Sequence, residues 1–252
     1  MNLTARYQSE FDDFLLVHPP GYFVPLVNEL KAVADVGNRR VLELGCGTGA
    51  LLQELQRHEP LELTGVDTSA RALERARELL GPACRNLRLW CCDIAHPPPE
   101  LIGQDLVVTH STLQYIPRLR ESVAGIYSVL RPGGIFFGTA EDKSKFSMLN
   151  AAQWFGFSLV PRFARRRFHW VVGPLLGLLK RRIQADEILK GKSRYLGIPA
   201  VNCLSAREIR DLFASVGFHP VEVRRAPRLD VNSVPHHLVI ATRPLERSTG
   251  GI

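Results

Sequence analysis

Apolar residues along this chain fall into short clusters of about five, separated by longer stretches where they recur at three- and four-residue spacing. The clusters are Arg40–Leu44, Glu62–Val66, Leu87–Cys91, Leu106–Thr109, Ile135–Thr139, Pro220–Arg225 and His236–Thr242. Gly, Pro, Asn or Asp flank them, which predicts seven strands, β1 to β7 in that order. The intervening stretches predict helices over Pro25–Val36, Ala50–Arg57, Ala70–Leu80, Leu119–Leu130 and the run ending at Val216. An earlier helix is predicted from Tyr7, Phe11, Phe14 and Leu15 on one face, broken by Pro19, Pro20 and Gly21.

Local signals set the boundaries. Ser69 is placed to cap the Ala70–Leu80 helix, and Gly81-Pro82 stops it. Ser205 and Glu208 form a capping-box signature, and Gly217 ends the helix that follows. Arg131-Pro132-Gly133-Gly134 reads as a turn ahead of β5. Strands alternating with helices predict a mostly parallel sheet covered on both faces. Ligands of such sheets lie at the carboxyl ends of the strands. Gly45, Asp67, Asp93 and His110 all fall at or just beyond such ends.

Composition narrows the class. The 252 residues, 45% apolar, suffice for one substantial α/β domain with an insertion. Five cysteines without zinc-site spacing, two of them adjacent, fit a reducing compartment. The opening MNLTARYQSEFDDF carries acids where a secretory signal needs an apolar core, so a cytoplasmic location is expected. The net charge of +7 is uneven: residues 142–200 hold twelve Lys or Arg against three Asp or Glu, and the rest of the chain is slightly acidic.

The most telling run is Val41–Gly49, VLELGCGTG. A strand enters a loop with glycine at 45, 47 and 49 and leaves into a helix, a context that fits a nucleotide-like ligand. The spacing is G-x-G-x-G, with Glu43 two residues ahead. It is neither the dinucleotide fingerprint nor a phosphate loop ending in Lys and Ser, and nothing positive invites a diphosphate. An NAD-dependent dehydrogenase is therefore disfavoured. Asp67, closing β2, is placed to accept hydrogen bonds from ribose hydroxyls, a role that alone does not separate nucleotide cofactors.

With GCGTG, Asp67, Asp93, a loop after β4 and RPGG in this order, the chain resembles the class I S-adenosylmethionine-dependent methyltransferases of small-molecule type. The resemblance covers about residues 30–140 well and 204–243 more loosely. It implies a three-layer Rossmann-like α/β fold with a seven-stranded, mostly parallel sheet. β7 is then antiparallel between β5 and β6, and a largely helical lid insertion follows β5. The implied divisions are an N-terminal helical cap (1–36), a cofactor-binding core (37–141), the apolar and basic lid (142–200) and a C-terminal completion of the sheet (201–252). S-adenosyl-L-methionine is the implied cofactor. Gly45, Gly47 and Gly49 would pass its methionine end, Glu43 its amino group, Asp67 the ribose and Asp93 the adenine amino group. Ile94 would pack on the ring, Thr68 would line the adenosine pocket, and His110 would lie beside the methionine moiety.

That cofactor carries an activated methyl, so the protein's tasks are alignment and proton removal. His110 is the candidate base, because imidazole titrates near neutrality. Tyr115 is a candidate for orienting the acceptor, and His169 for facing it if the insertion caps the pocket. His236 and His237, at the start of β7, are read as uncharged edge positions. Cys91 and Cys92 are not read as nucleophiles, and no metal is expected.

The insertion begins FSMLNAAQWFGFSLVP and continues through Arg165-Arg166-Arg167 into FHWVVGPLLGLLKRR. Its apolar run, residues 168–179, falls short of the roughly 20 residues a membrane-spanning helix needs. A pocket lid is favoured over a membrane contact or a dimer arm. Tyr22, Trp154, Phe157, Arg166 and Tyr195 are the candidate substrate contacts. The expected function is methyl transfer to O, N or activated C of an apolar or amphipathic small molecule, by a monomer or homodimer. Nucleic acid is disfavoured as a partner. A lipid- or quinone-type methyltransferase with peripheral membrane contact, and a non-catalytic cofactor-binding partner protein, are the alternatives.

Overall fold

Neighbouring residues on the strands point to opposite faces, and in this chain both neighbours are often apolar. Val41 and Leu42, Val107 and Val108, Phe136 and Phe137, and Leu238 and Val239 are buried pairs split between two separate cores. A sheet built of such strands needs cover on both sides. The computed structural model describes residues 18–81, 84, 86–142, 201–202, 204–227 and 236–246. The helix expected around Tyr7–Leu15 and the insertion expected between residues 143 and 200 lie outside these.

Among the described residues the elements run α1 (Val24–Lys31), β1 (Arg40–Leu44), α2 (Ala50–Gln56), β2 (Glu62–Asp67), α3 (Ala70–Leu80), β3 (Leu87–Cys91) and β4 (Gln104–Thr109). There follow a 3-10 turn (Leu113–Tyr115), α4 (Leu119–Val129), β5 (Leu130–Glu141), α5 (Ala206–Val216), β6 (Val221–Arg225) and β7 (His236–Thr242). The seven strands form one sheet in the order β3-β2-β1-β4-β5-β7-β6. β1 to β5 pair in parallel, whereas β7 lies antiparallel between β5 and β6, as the resemblance implied. The order reverses direction between β1 and β4, so the ligand crevice opens beside β1.

One core gathers Leu26 and Leu30 of α1, Leu51, Leu52 and Leu55 of α2, and Leu73 and Ala76 of α3 against the sheet. The other gathers Val123, Ile126 and Val129 of α4 with Ile209 and Phe213 of α5. The result is three layers. Phe136 and Phe137 are fully buried, one in each core. Burial of each side chain stabilises the fold by about 1.5–3 kcal/mol.

The caps behave as the sequence predicts. Ser69 Oγ accepts the Ala72 N–H at 3.2 Å. Ser205 and Glu208 make the reciprocal capping box of α5, and the left-handed Gly217 ends that helix. Several other ends shift by a residue or two, and three differences have a visible cause or bear on the sheet. α1 stops at Lys31, not Val36, because Asp35 Oδ1 accepts the Gly37 N–H and turns the chain toward β1, while Ala34 and Val36 stay buried without being helical. β4 starts two residues early, at Gln104. Residues 131–134 form a wide bulge inside β5, not a turn before it: Gln104 pairs with Leu130 and Leu106 with Ile135. The reason is β7. Gly133 N–H donates to Arg243 O at 2.8 Å and Arg243 N–H to Gly134 O at 2.9 Å, which carries sheet pairing through the two glycines.

Candidate functional site

The carboxyl ends of β3, β2 and β1 lie side by side and present Asp93, Asp67 and the glycine loop. The loop is tied to β2, with Gly45 N–H and Cys46 N–H both donating to Val66 O, at 2.7 and 3.1 Å. Asp67 bridges loop and helix: Oδ2 accepts the Gly47 N–H and Oδ1 the Ser69 N–H, each at 2.9 Å.

The three glycines do different work. A Cβ on Gly45 would lie 2.4 Å from Thr112 Oγ1, and one on Gly49 would lie 2.7 Å from Leu80 Cδ1. A Cβ on Gly47 would meet nothing within 4 Å, and its φ is +52°. Gly45 and Gly49 thus permit close packing within the protein, whereas Gly47 borders open space.

Glu43, beneath this loop, is 4% exposed, and its Oε2 has no hydrogen-bond partner among the described residues. Burial, and then the charge of Asp67, push its carboxyl well above the usual carboxylate range. A buried, orphaned acceptor beside an open glycine fits a ligand that brings a cationic donor. Burial also raises the Cys46 thiol, reinforced by Glu43 and Asp67, and takes Cys92 up to about 11, so neither is a thiolate at neutral pH.

Both oxygens of Asp93 already have protein donors. Oδ1 accepts the Ala95 N–H at 2.9 Å, and Oδ2 accepts from Arg118 at 2.8 Å. Ile94 is 2% exposed within the α4-side core, which leaves its side chain little surface to offer a ring. Thr68 is exposed, and its carbonyl faces Cys91 Sγ at 3.6 Å.

Across the switch in strand order, His110 follows β4 and heads a hydrogen-bonded cluster. Its Nδ1 lies 3.0 Å from Thr139 Oγ1 and its Nε2 3.0 Å from Ser111 Oγ. The same Ser111 hydroxyl lies 2.9 Å from His236 Nε2. Ser111 N–H donates to Thr139 Oγ1 at 3.1 Å, which holds Ser111 at a left-handed φ of 52°. A non-glycine residue there stores strain of about 1–3 kcal/mol. Phe23 meets the His110 ring edge-on at 5.2 Å and is in turn stacked in a group with Tyr22 and His18. Burial, then the neighbouring His236 and His18, push His110 well below the ordinary imidazole range.

His236 is therefore a correction to the sequence reading: it is no edge position but part of the cluster. β7 is antiparallel, so its first residue lies at the end where the parallel strands finish, opposite Glu141. Ser111 and Thr139 were also missed, whereas Phe23 has the aromatic character expected of a pocket wall. The antiparallel β7 that the resemblance implied was the available signal for His236, and the pairing of β5 beside β4 the one for Thr139. His237 is likewise drawn inward, with Nε2 3.5 Å from Asp142 Oδ1.

Tyr115 sits on the 3-10 turn after His110, its N–H donating to Thr112 O at 2.9 Å. Gln114, on the same turn, is 1% exposed. Its carbonyl accepts from Val201 N–H and Asn202 N–H, and its Nε2 reaches Glu141 Oε1 at 3.4 Å. Glu141 on one side of residues 143–200, and Val201 and Asn202 on the other, thus meet at this turn. The candidates Trp154, Phe157, Arg166, His169 and Tyr195 lie outside the described residues. Among the described residues no group of three or more His, Cys, Asp or Glu is placed to hold a metal ion. Among them, too, no helix is long and apolar enough to cross a membrane.

Comparison with known proteins agrees with this geometry. Residues 42–136 match the family described as a methyltransferase domain. The chain is 32% identical over 142 residues to EEF1A lysine methyltransferase 2 of Danio rerio, covering 53% of this chain and 60% of that protein. It is 33% identical over 133 residues to carboxy-S-adenosyl-L-methionine synthase of Campylobacter fetus, covering 51% and 56%. The chain thus spans less than two thirds of the length of these curated relatives. Their names describe different reactions. A solved S-adenosylmethionine-dependent methyltransferase from Mesorhizobium loti superposes with a TM-score of 0.58 at 20% identity, over 88% of this chain and 98% of that one.

Proposed function

We propose that this chain, whose residues 42–136 match a methyltransferase domain and whose strand order fits that reading, is a class I S-adenosylmethionine-dependent enzyme that methylates O, N or activated C of an apolar or amphipathic small molecule. The observation that carries the cofactor side is the orphaned Glu43 Oε2 beside the open Gly47, with Asp67 one strand away. The cofactor supplies a methyl group already activated on a sulfonium, so this chain has no electrophile to create.

Glu43 would hold the cofactor's ammonium, Gly47 would let the backbone approach, and Asp67 would hold the ribose hydroxyls. Asp93 would take the adenine amino group only by sharing or exchanging its bond to Arg118. These groups occupy the β3-β2-β1 half of the carboxyl edge. The other half, over β4, β5 and the start of β7, is left for the acceptor, and it carries the His110 cluster. There the chain's work is to orient the acceptor and take up its proton. Glu141 and Val201, described residues on either side of 143–200, both lie at this half, which supports a role for that segment in acceptor choice. A lipid- or quinone-type acceptor is the alternative.

The test has two parts. Calorimetry with S-adenosylhomocysteine should show binding to the wild type, and Asp67→Asn should weaken it about 10- to 100-fold, the worth of hydrogen bonds to a charged acceptor. Unchanged affinity in Asp67→Asn would remove the ribose assignment. Labelled-methyl transfer into separated soluble and lipid extracts would then identify the acceptor class. Product confined to the lipid fraction favours the alternative.

A further inference from the structure

α4 is drawn tightly against the chain that leaves β3. A Cβ on Gly125 would stand 1.7 Å from Ile94 O, and Ile94 and Leu119 share the α4-side core. Arg118, which opens α4, is thereby brought to Asp93, and its Nη2 donates to Asp93 Oδ2 at 2.8 Å. The other arm of the same guanidinium, Nη1, is held by Glu121 Oε2 at 3.0 Å and lies 3.3 Å from His96 Nε2. Asp93 Oδ1 accepts the Ala95 N–H at 2.9 Å. Both oxygens of this carboxylate are therefore held in place by protein donors. Its side chain still keeps 37% of its surface open, so a ligand can reach it. Two donors do not saturate it, because an ionised carboxylate has about four acceptor positions.

We infer that Arg118 is a positioning residue for choice of the cofactor's base: it fixes the Asp93 carboxylate to accept the adenine amino group as a further donor, and it stays in place when the cofactor binds. The assignment rests on the cofactor reading above. The amino group of adenine is neutral and lacks the Coulomb attraction that holds the guanidinium. Exchange would give up the stronger partner, whereas sharing keeps both. Exchange would also have to pull the planar fork away from Glu121, which the second arm serves. Discrimination follows from the fixed geometry. A base with an oxygen in place of the amino group would bring no proton to Asp93 and would set one acceptor against another. A carboxylate free to turn or to draw in water would relieve that clash, and one held by Arg118 and Ala95 resists doing so.

Calorimetry on the full chain compares S-adenosyl-L-homocysteine with S-inosyl-L-homocysteine, whose base carries an oxygen at the amino position. The wild type should prefer the first by about tenfold or more, the worth of a hydrogen bond to a charged acceptor. Arg118→Met should weaken S-adenosylhomocysteine about fivefold, and the inosyl ligand by less than about twofold, so that the preference shrinks. A purely structural loss would weaken both ligands alike. Arg118→Lys keeps the charge but not the fork, and should show a preference between those of the wild type and Arg118→Met. Equal weakening of both ligands, or unchanged or tighter binding of S-adenosylhomocysteine by Arg118→Met, would overturn the assignment; tighter binding would mean that the amino group displaces Arg118. Should Arg118→Met not fold, a wild-type preference undiminished in Arg118→Lys would overturn it equally. A wild type that binds both ligands alike would remove the Asp93 contact and the role of Arg118 with it, while a wild type that binds neither would remove the cofactor reading itself.

Discussion

Adding one methyl group to Gly47 should separate binding from folding. The residue's φ of +52° costs an alanine about 1–2 kcal/mol. The new Cβ would touch nothing, since no heavy atom lies within 4 Å of it. Gly47→Ala should therefore lose only that strain, out of a total stability of order 5–15 kcal/mol, and remain folded. The same change at Gly45 meets a similar strain, at φ +69°, and puts the new Cβ only 2.4 and 2.5 Å from Thr112 Oγ1 and Cγ2. Overpacking adds about 1–3 kcal/mol, so Gly45→Ala should lose about 2–5 kcal/mol. Urea unfolding measures both losses, and calorimetry with S-adenosylhomocysteine measures affinity. Gly47→Ala should bind at least about tenfold more weakly, because the methyl group projects where the ligand backbone approaches. Gly45→Ala/Thr112→Ala should recover the overlap part of the loss but not the strain. Two results would refute the reasoning: Gly47→Ala binding within about twofold of wild type, or Gly45→Ala no less stable than Gly47→Ala.

Three further outcomes are expected. His110 is held neutral in the folded state, so the unfolded chain binds its proton more readily. Stability should then fall as pH drops below about 6.5, by up to about 1.4 kcal/mol per pH unit from this group, and His110→Gln should flatten that slope in urea titrations between about pH 5 and 7. The carboxyl of Glu43 is raised by burial, and a ligand ammonium beside it would favour ionisation. Calorimetry in buffers of different ionisation enthalpy should thus find up to about one proton released per cofactor bound, and Glu43→Gln should abolish it; release that persists in the variant would mean another group ionises. Gly125 lies where α4 crosses the chain after β3, and a Cβ there would stand 1.7 Å from Ile94 O. Gly125→Ala should lose about 3 kcal/mol in thermal or urea unfolding, and wild-type stability in the variant would refute that crossing.

Most of the sheet was legible because its boundaries are chemically abrupt. β1, β3 and β7 start and stop where expected, since Asn38, Asn86 and Pro235 precede them closely; the apolar runs of β1 and β7 are also buried, whereas β3 is a part-exposed edge strand. The bulge at 131–134 was not legible, because Pro-Gly-Gly has the composition of a turn and only the partner Arg243, more than a hundred residues away, makes it part of a strand. At the site, residues that directly follow parallel strands could be found by position alone. His236 could not, because it opens its strand, and the start of a strand lies at the active edge only where that strand runs antiparallel. Arg118 escaped for a related reason: nothing local links the N-terminus of α4 to Asp93, 25 residues earlier.

Gln114 joins the last residues before position 143 to the first after position 200, through Glu141 on one side and Val201 and Asn202 on the other. The sheet thus constrains where that span departs and where it re-enters. For a flexible span, doubling its length adds only about 0.6 kcal/mol of closure entropy. A domain wired in this way is a socket: the span can be lengthened, shortened or exchanged wholesale between homologues while β6 and β7 still find their places. Diversification of the acceptor could then proceed by replacing one contiguous cassette, with the cofactor half inherited unaltered.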